Sequence, residues 1–542
     1  MRVMKRIIFI AALLLLLIKP GKIEAQSAIF KAGRSLDVQL NVLKELSLLY
    51  VDSIAADKLI LQSVQSMLES LDPYTIMIPA EDRESLEIMT TGSYGGVGAL
   101  IRKTSDGVLL SEIYENTPSS KAGLCAGDLI LKIDGISVMP LKVDECSAKM
   151  KGPAGTSVLF TVKRLRGGDT ANITLIREKI HIPDVAYHGM VSDSVGYIRI
   201  TGFTIGGAKD VKNALLELKK NSNLKRLIID LRGNGGGLLD EAVDIVSLFV
   251  PKGTKVVSSL GKFKQADILY YTKDEPVDLN LPLVVMVNSS SASSSEIVAG
   301  ALQDLDRATI VGTRTFGKGL VQSIRDVGYN YRIKLTTAKY YTPSGRCVQA
   351  IDYSQRNEDG SVGNIPDSLR RAFKTLVKGR TVYDGGGITP DVLIEPQLFS
   401  RLAVSMVLGE IFHEYSIKYF KENQSIKRAA EFTLTDGEFE DFVKWASGKE
   451  FDHRTASEVE LDKLIEITKR ESFYPEIKEE IAMLEKRLKP GKMDVLRKSA
   501  SEIKPLLEEE ISGRYYFQRG RIESMIRNDK QLKEAQIVKL ID

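Results

Sequence analysis

LPLVVMVNSSSASSSEIVAGALQDL, Leu281 to Leu305, joins two patterns in one stretch. Its first part is an unbroken apolar run, the composition of a strand buried on both faces. In its second part Ile297, Ala301, Leu302 and Leu305 recur at the spacing of one helix face. Between the two, six serines fall within seven residues. A buried strand that feeds a helix through a short polar turn is the repeating unit of an α/β core.

A hydroxyl on such a turn lies beside the unpaired N–H groups of a helix N-terminus, where an oxyanion would be stabilised. The same residues have a plainer reading. Ser293-x-x-Glu296 is also a capping box, and from this segment alone the cap is the commoner reading. A nucleophilic serine needs a base. The four histidines, His181, His188, His413 and His453, are sparse and none is near in sequence. TFGKGLVQ, Thr315 to Gln322, offers a lysine instead. Lys318 stands between two glycines, which let the backbone pass close to another segment, and burial there would depress its pKa until the neutral amine accepts a proton. A solvated loop lysine is the ordinary alternative.

A second glycine cluster, IIDLRGNGGGLLDEA, also follows a buried-type strand. It has neither the G-x-x-x-x-G-K-[ST] nor the G-x-G-x-x-G register, so it does not read as a phosphate cradle. Amides at Gly235, Gly236 and Gly237 would point at a carbonyl oxygen as half of an oxyanion hole; a plain tight turn is the alternative.

Outward from these segments the chain divides by texture. Leu36, Leu40, Leu43, Leu46 and Tyr50 have helical spacing, a second helix is expected from Asp57 towards Glu69, and LDPYT ends the helical pattern at Pro73. From Gly92 to Ile180 short β-branched runs alternate with glycine, as in GDLILKIDG, which reads as a small β module. Strand-like and helical runs then alternate from Val185 to Val392, broken by a polar insertion at 353–364. The rest is charged and helical, with stripes at Leu461, Leu464, Ile465, Thr468 and at Ile522, Met525, Ile526. In SYGGVGALI, Gly95, Gly96 and Gly98 precede a strand. Successive amides there can capture a peptide's terminal carboxylate while the strand edge pairs with its backbone.

The N-terminus, MRVMKR followed by the apolar run Ile7–Ile18, reads as a secretory signal peptide cleaved after Ala25. Its removal lowers the formal charge from +4 to 0, so no basic nucleic-acid footprint remains. Cys125, Cys146 and Cys347 are too few and scattered for a disulfide framework or a zinc site.

Taken in order, LDPYT, GGVGALI, AGLCAGDLILKIDG, DLRGNGGGLLDEAV, SASSSEIVAGALQD, GTRTFGKGLVQ, LTTAKYYTPSGR and GGITPDV resemble the C-terminal processing peptidases, or tail-specific proteases, over roughly Leu71 to Val392. These are PDZ-containing serine endopeptidases. The resemblance implies a Ser-Lys dyad, with Ser293 as nucleophile, Lys318 as base and Gln322, one helical turn further on, as the residue orienting the lysine. It implies oxyanion donors at Gly236 and Ser294, with Gly237 a rival for the first, and a tail-binding loop at Gly95, Gly96, Val97 and Gly98. Ser290 and Ser294 stand where the family commonly has glycine and alanine, and Gly235 where it has proline.

The expectation is therefore a multidomain α+β chain. It has a signal peptide (1–25), an N-terminal helical segment (26–90), a PDZ domain (91–182), an α/β protease core of the ClpP/crotonase type (183–395) and a helical C-terminal extension (396–542). Its expected function is a serine endopeptidase of the periplasm or cell envelope, secreted across the inner membrane, that cleaves proteins near free C-terminal tails. No metal, cofactor or nucleic acid is expected, and a homo-oligomer or a regulatory adaptor is compatible with the sequence. The alternatives are a catalytically silent PDZ scaffold and another acyl-transferring enzyme such as an esterase.

Overall fold

The computed structural model describes residues 21–79, 83–353, 356–357 and 361–541. Residues 1–20 of the expected signal peptide and part of the polar insertion lie outside the described residues. Among the described residues no helix is long and apolar enough to cross a membrane.

Two compact units are present. The smaller holds the helices α1 (Gly21–Leu49) and α2 (Ala56–Glu69), a strand β1 (Ile76–Ile78) and residues 324–335, of which 332–334 pair with β1. Between α2 and β1 the LDPYT turn is an Asx turn: Asp72 Oδ1 accepts from the Tyr74 and Thr75 N–H groups at 2.8 and 2.9 Å. The expected stripe on α1 faces outward, with Leu36 and Leu40 about two-thirds exposed.

The larger unit begins with α3 (Arg83–Thr91) and the β module. A short ribbon pairs β2 (Ser93–Gly96) with β8 (Glu178–His181). The module's sheet holds β3 (Ala99–Lys103), β4 (Val108–Ile113), β5 (Leu129–Ile133), β6 (Ser157–Lys163) and β7 (Thr170–Ile176) in that spatial order, with α4 (Val143–Met150) packed on it. In GDLILKIDG, Asp134 and Gly135 both have positive φ, the geometry an Asp-Gly hairpin turn requires. Among the described residues strand β3 pairs only with β4, which leaves its other edge open.

Next come β9 (Val185–Met190), β10 (Val195–Ile200), β11 (Arg226–Asp230), β14 (Leu283–Val287), β15 (Thr309–Gly312) and β18 (Val392–Leu393), which form one sheet in that order. All neighbours are parallel except β9 and β10. Helices α5 (Gly207–Leu218), α6 (Leu239–Ser247) and α7 (Ser294–Asp304) belong to the same core. Alternate residues of the strands enter different clusters, as pleating demands. Leu227, Ile229, Leu283, Val285 and Val287 pack with α5, α6 and α7. Ile228, Val284 and Met286 pack instead with Ile394, Leu532 and Ala535. Leu532 and Ala535 lie on the last helix of the chain, so the C-terminal extension supplies the second layer over this sheet.

A separate antiparallel sheet carries β12 (Lys255–Gly261), β13 (Ile268–Tyr271) and the long hairpin of β16 (Leu320–Gly328) and β17 (Tyr331–Tyr341), whose outer end pairs with β1. The C-terminal helices are α8 (Arg401–Leu408), α9 (Ile411–Glu422), α10 (Asp436–Ser447), α11 (Ala456–Arg470), α12 (Lys478–Leu488), α13 (Lys492–Lys498), α14 (Ala500–Asn528) and α15 (Lys530–Ile537). They have their own core, in which Tyr415 meets Phe442 edge-on at 4.9 Å. Helix α14 kinks at Tyr516 and Phe517, and Phe517 packs against the core of the β module.

Candidate active site

Ser293 sits at the N-cap of α7 with φ 56° and ψ −115°, a conformation a non-glycine residue holds only under strain of about 1–3 kcal/mol. Its neighbours supply the restraint. Ser291 donates to the Leu231 carbonyl (2.8 Å), Ser294 to the Gly237 carbonyl (2.9 Å) and Ser295 to the Asn234 carbonyl (2.9 Å). The Ala292 N–H also donates to Asn234 O at 3.0 Å. Three of the six serines therefore fasten the turn to the loop after β11. Ser293 is half-buried and its hydroxyl makes no cap hydrogen bond.

The expected capping box forms in one direction only: Glu296 Oε2 accepts the Ser293 N–H at 2.9 Å. The carboxylate does more than cap. Oε2 also accepts the Lys318 N–H (2.8 Å), while Oε1 accepts the Gly317 N–H (2.8 Å) and the Thr315 hydroxyl (2.6 Å). Glu296 is fully buried. Burial pushes its pKa up, against the pull of these four donors. One oxygen atom thus holds the backbone of both Ser293 and Lys318. Tyr340, also buried, donates its hydroxyl to the Ser293 carbonyl at 3.1 Å.

Lys318 is half-buried, and its flanking glycines make the close approach their type allows. Gly317 has φ +87°, and a Cβ there would lie 2.3 Å from that of Ala350; one on Gly319 would lie 2.8 Å from the Gln349 nitrogen. Gln322 is not one helical turn beyond the lysine. It lies on strand β16, because 320–328 pairs with β17, and its Nε2 donates to Thr336 Oγ1 at 3.3 Å.

Gly236 has φ +98°, and a Cβ there would meet the Ser293 Cβ and the Ala292 carbonyl at 2.7 Å. The glycine loop and the serine turn are therefore in contact. The Gly236 N–H donates to Asn234 Oδ1 at 2.8 Å, whereas the Gly237 and Ser294 N–H groups have no acceptor among the described residues.

The loop expected to bind tails is shorter than the sequence suggests. Gly95 and Gly96 belong to β2. The Ile182 N–H donates to Gly92 O (2.8 Å), and the alternation of an antiparallel ladder then turns the Gly96 N–H towards Glu178. Val97 and Gly98 form the free turn before the open edge of β3. A Cβ on Gly98 would lie 2.3 Å from that of Thr117. A groove of about 240 Å³ runs there between β3 and α4, lined by Tyr94, Val97, Leu100, Ile101, Tyr114 and Met150.

Sequence reading missed Glu296 as a common anchor, and also Tyr340 and Asn234. Glu296 was visible only as the third residue of a helix, and nothing local pairs it with a loop some 20 residues away.

Residues 194–354 match peptidase family S41, 110–164 a PDZ domain, and 402–538 the probable PDZ-protease C-terminal helical domain. A carboxy-terminal-processing protease of Bartonella bacilliformis is 38% identical over 392 residues, covering 71% of this chain and 81% of that one. A probable CtpA-like serine protease of Staphylococcus aureus is 34% identical over 312 residues, 57% of this chain and 61% of that one. Among solved structures, a photosystem II D1 C-terminal processing protease aligns at 26% identity, TM-score 0.36, over 66% of this chain and 92% of that one. The PDZ domain of a Vibrio cholerae carboxy-terminal protease, solved in complex with peptide, aligns at 25% identity, TM-score 0.16, over 17% of this chain and 99% of that one.

Proposed function

We propose, for a chain that belongs to the carboxy-terminal processing proteases of peptidase family S41, that it cleaves peptide bonds through an acyl-enzyme on Ser293 with Lys318 as general base. The observation that carries this reading is the Glu296 carboxylate, which holds the Ser293 and Lys318 backbones on one oxygen. Ser293 Oγ attacks the scissile carbonyl while Lys318 Nζ takes its proton. The oxyanion then lies against the Ser294 N–H and a glycine N–H. Gly237 is the donor that needs no rearrangement, since Gly236 would first have to leave Asn234. Collapse releases the amine, which receives the proton from Lys318, and water repeats the sequence on the ester. Gln322, bonded to Thr336, supports the start of the hairpin that leads from the lysine.

Substrates are proteins with free C-terminal tails that add a strand to the open edge of β3, with the carboxylate at the Val97–Gly98 turn. The basic and apolar N-terminus supports export to the cell envelope. Incubation of the enzyme with an unfolded protein, beside a Ser293→Ala variant, tests the chemistry: cleavage is expected only with serine, and no cleavage by either would leave a tail-binding scaffold. One peptide as free acid and as C-terminal amide tests recognition. The acid is expected to be cut markedly faster, and equal rates would remove tail binding while leaving the chemistry.

A further inference from the structure

The loop that faces Ser293 is gripped from below by the C-terminal helical domain. Arg232, in the loop between β11 and Gly236, has five N–H donors, and every one has an acceptor. Nε and Nη2 bind Asp230 Oδ1 and Oδ2 at 2.9 and 2.6 Å. The second Nη2 hydrogen goes to Asp529 Oδ2 at 2.5 Å, and Nη1 reaches Gln531 Oε1 at 2.9 Å and Asp529 Oδ1 at 3.3 Å. Asp230 is fully buried, and also accepts the Tyr197 hydroxyl at 2.6 Å. Arg232 and Asp529 are each only about an eighth exposed.

Both acceptors from the C-terminal domain are themselves fixed. Asp529 caps α15 through the Leu532 N–H (2.9 Å), and Gln531 Nε2 donates to the Ile394 carbonyl (2.8 Å). The helix they begin is the one that buries Leu532 and Ala535 against the protease sheet. From Arg232 the chain runs two residues to Asn234, whose carbonyl holds Ala292 and Ser295 and whose side chain holds the Gly236 N–H. A shift of Arg232 is therefore passed to the oxyanion donors and to the turn that carries the nucleophile.

We propose that Asp529 and Gln531 are positioning residues of the protease reaction. The C-terminal helical domain, through Arg232, sets the oxyanion loop at the distance that the tetrahedral intermediate requires. The proposal rests on the Ser293 reading above. It assigns the C-terminal domain a part in transition-state stabilisation and none in ground-state peptide binding, which takes place on the β module.

Asp529→Asn keeps the shape and the capping oxygen but removes the charge from Arg232; Gln531→Met leaves Asp529 in place and serves if the first variant melts early. Each is assayed in the full chain for kcat and KM on a tailed peptide, for melting temperature, and for inhibition by a peptide boronic acid, whose tetrahedral adduct on serine uses the same donors. The expected result is a fall in kcat of about 10- to 100-fold, in line with a displacement of catalytic groups by a fraction of an ångström to 1 Å. Boronate affinity should weaken in parallel, with KM within about twofold. Wild-type kcat in both variants would overturn the proposal, as would a loss of kcat that follows the melting temperature with boronate affinity unchanged. Ser293→Ala run alongside separates the two levels: if it retains activity, the nucleophile is wrong, whereas a dead Ser293→Ala beside a fully active Asp529→Asn removes only the positioning role.

Discussion

Glu296→Gln is the substitution that most directly tests how this site is held. The carboxylate offers two oxygens, and each accepts two hydrogen bonds. Glutamine offers one oxygen, and its NH₂ must face the donors at the other position. Turned towards Thr315 and Gly317, the NH₂ lets the threonine hydroxyl rotate to accept, but it orphans the Gly317 N–H. Turned the other way, it orphans both the Ser293 and the Lys318 N–H groups, so the first orientation is the less costly. One buried unsatisfied N–H costs about 1–3 kcal/mol, partly offset because a fully buried charge is removed. A net loss of stability of about 1–2 kcal/mol is expected. Activity should suffer more, because neutral oxygen holds the Ser293 and Lys318 backbones less firmly, and a displacement of about 1 Å costs about 100-fold. Melting curves and kcat on one peptide measure the two effects. Glu296→Ala, which orphans all four donors, should be worse on both counts. Wild-type kcat in Glu296→Gln would refute the idea that this carboxylate positions nucleophile and base.

Other outcomes follow from the same geometry. Both Ser293→Ala and Ser293→Gly should be inactive, but glycine should be the more stable by about 1 kcal/mol in denaturant unfolding, since it alone accepts φ 56° and ψ −115° without strain; equal stabilities would mean the turn is not strained. Lys318→Arg should be inactive in a peptide-cleavage assay, because guanidinium keeps its proton, and an active variant would remove lysine as base. His413, in the contact between C-terminal helices and β module, has its pKa lowered by burial and by the neighbouring Arg514 and Arg102, against the opposing pull of Glu510. The folded state thus favours the neutral ring, and stability should fall as pH drops below the ordinary value of 6.5. Glu510 is held down to about 2, so its own contribution is complete above 4.5 and is lost progressively as the pH falls from there towards 2. A melting temperature flat between pH 6.5 and 5 would show that His413 does not titrate in this way.

What the sequence disclosed and what it concealed divide along one physical line. The strand-turn-helix of 281–305, the small β module of short runs between glycines and the glycines around Lys318 were legible because their causes are local: apolar period, turn chemistry and backbone conformations that glycine permits. The four-residue step from Lys318 to Gln322 misled, since a spacing of four suits a helix face and only long-range pairing with β17 makes it a strand. Gly95 and Gly96 misled in the same way, because their partner strand, 178–181, lies more than 80 residues later. Glu296 satisfied a local rule well enough to hide a distant one.

The C-terminal extension shows the limit of such reading most clearly. Buried helix positions such as Leu461 and Thr468 were legible as a stripe, but no pattern within 396–542 announces that Leu532 and Ala535 belong to another sheet. The two faces of β11 and β14 are both apolar, and such strands demand a cover on each side. Helices α5, α6 and α7 cover one face, and the interrupted run between β15 and β18 holds no further α-helix among the described residues to cover the other. A sheet with one unclaimed apolar face has to find its second layer elsewhere in the chain. In this protein that layer comes from the last helix, and its N-terminal residues Asp529 and Gln531 accept hydrogen bonds from Arg232. Completing the core and holding Arg232 are therefore one structural event, so that on the proposed reading the extension would act on catalysis through the arginine.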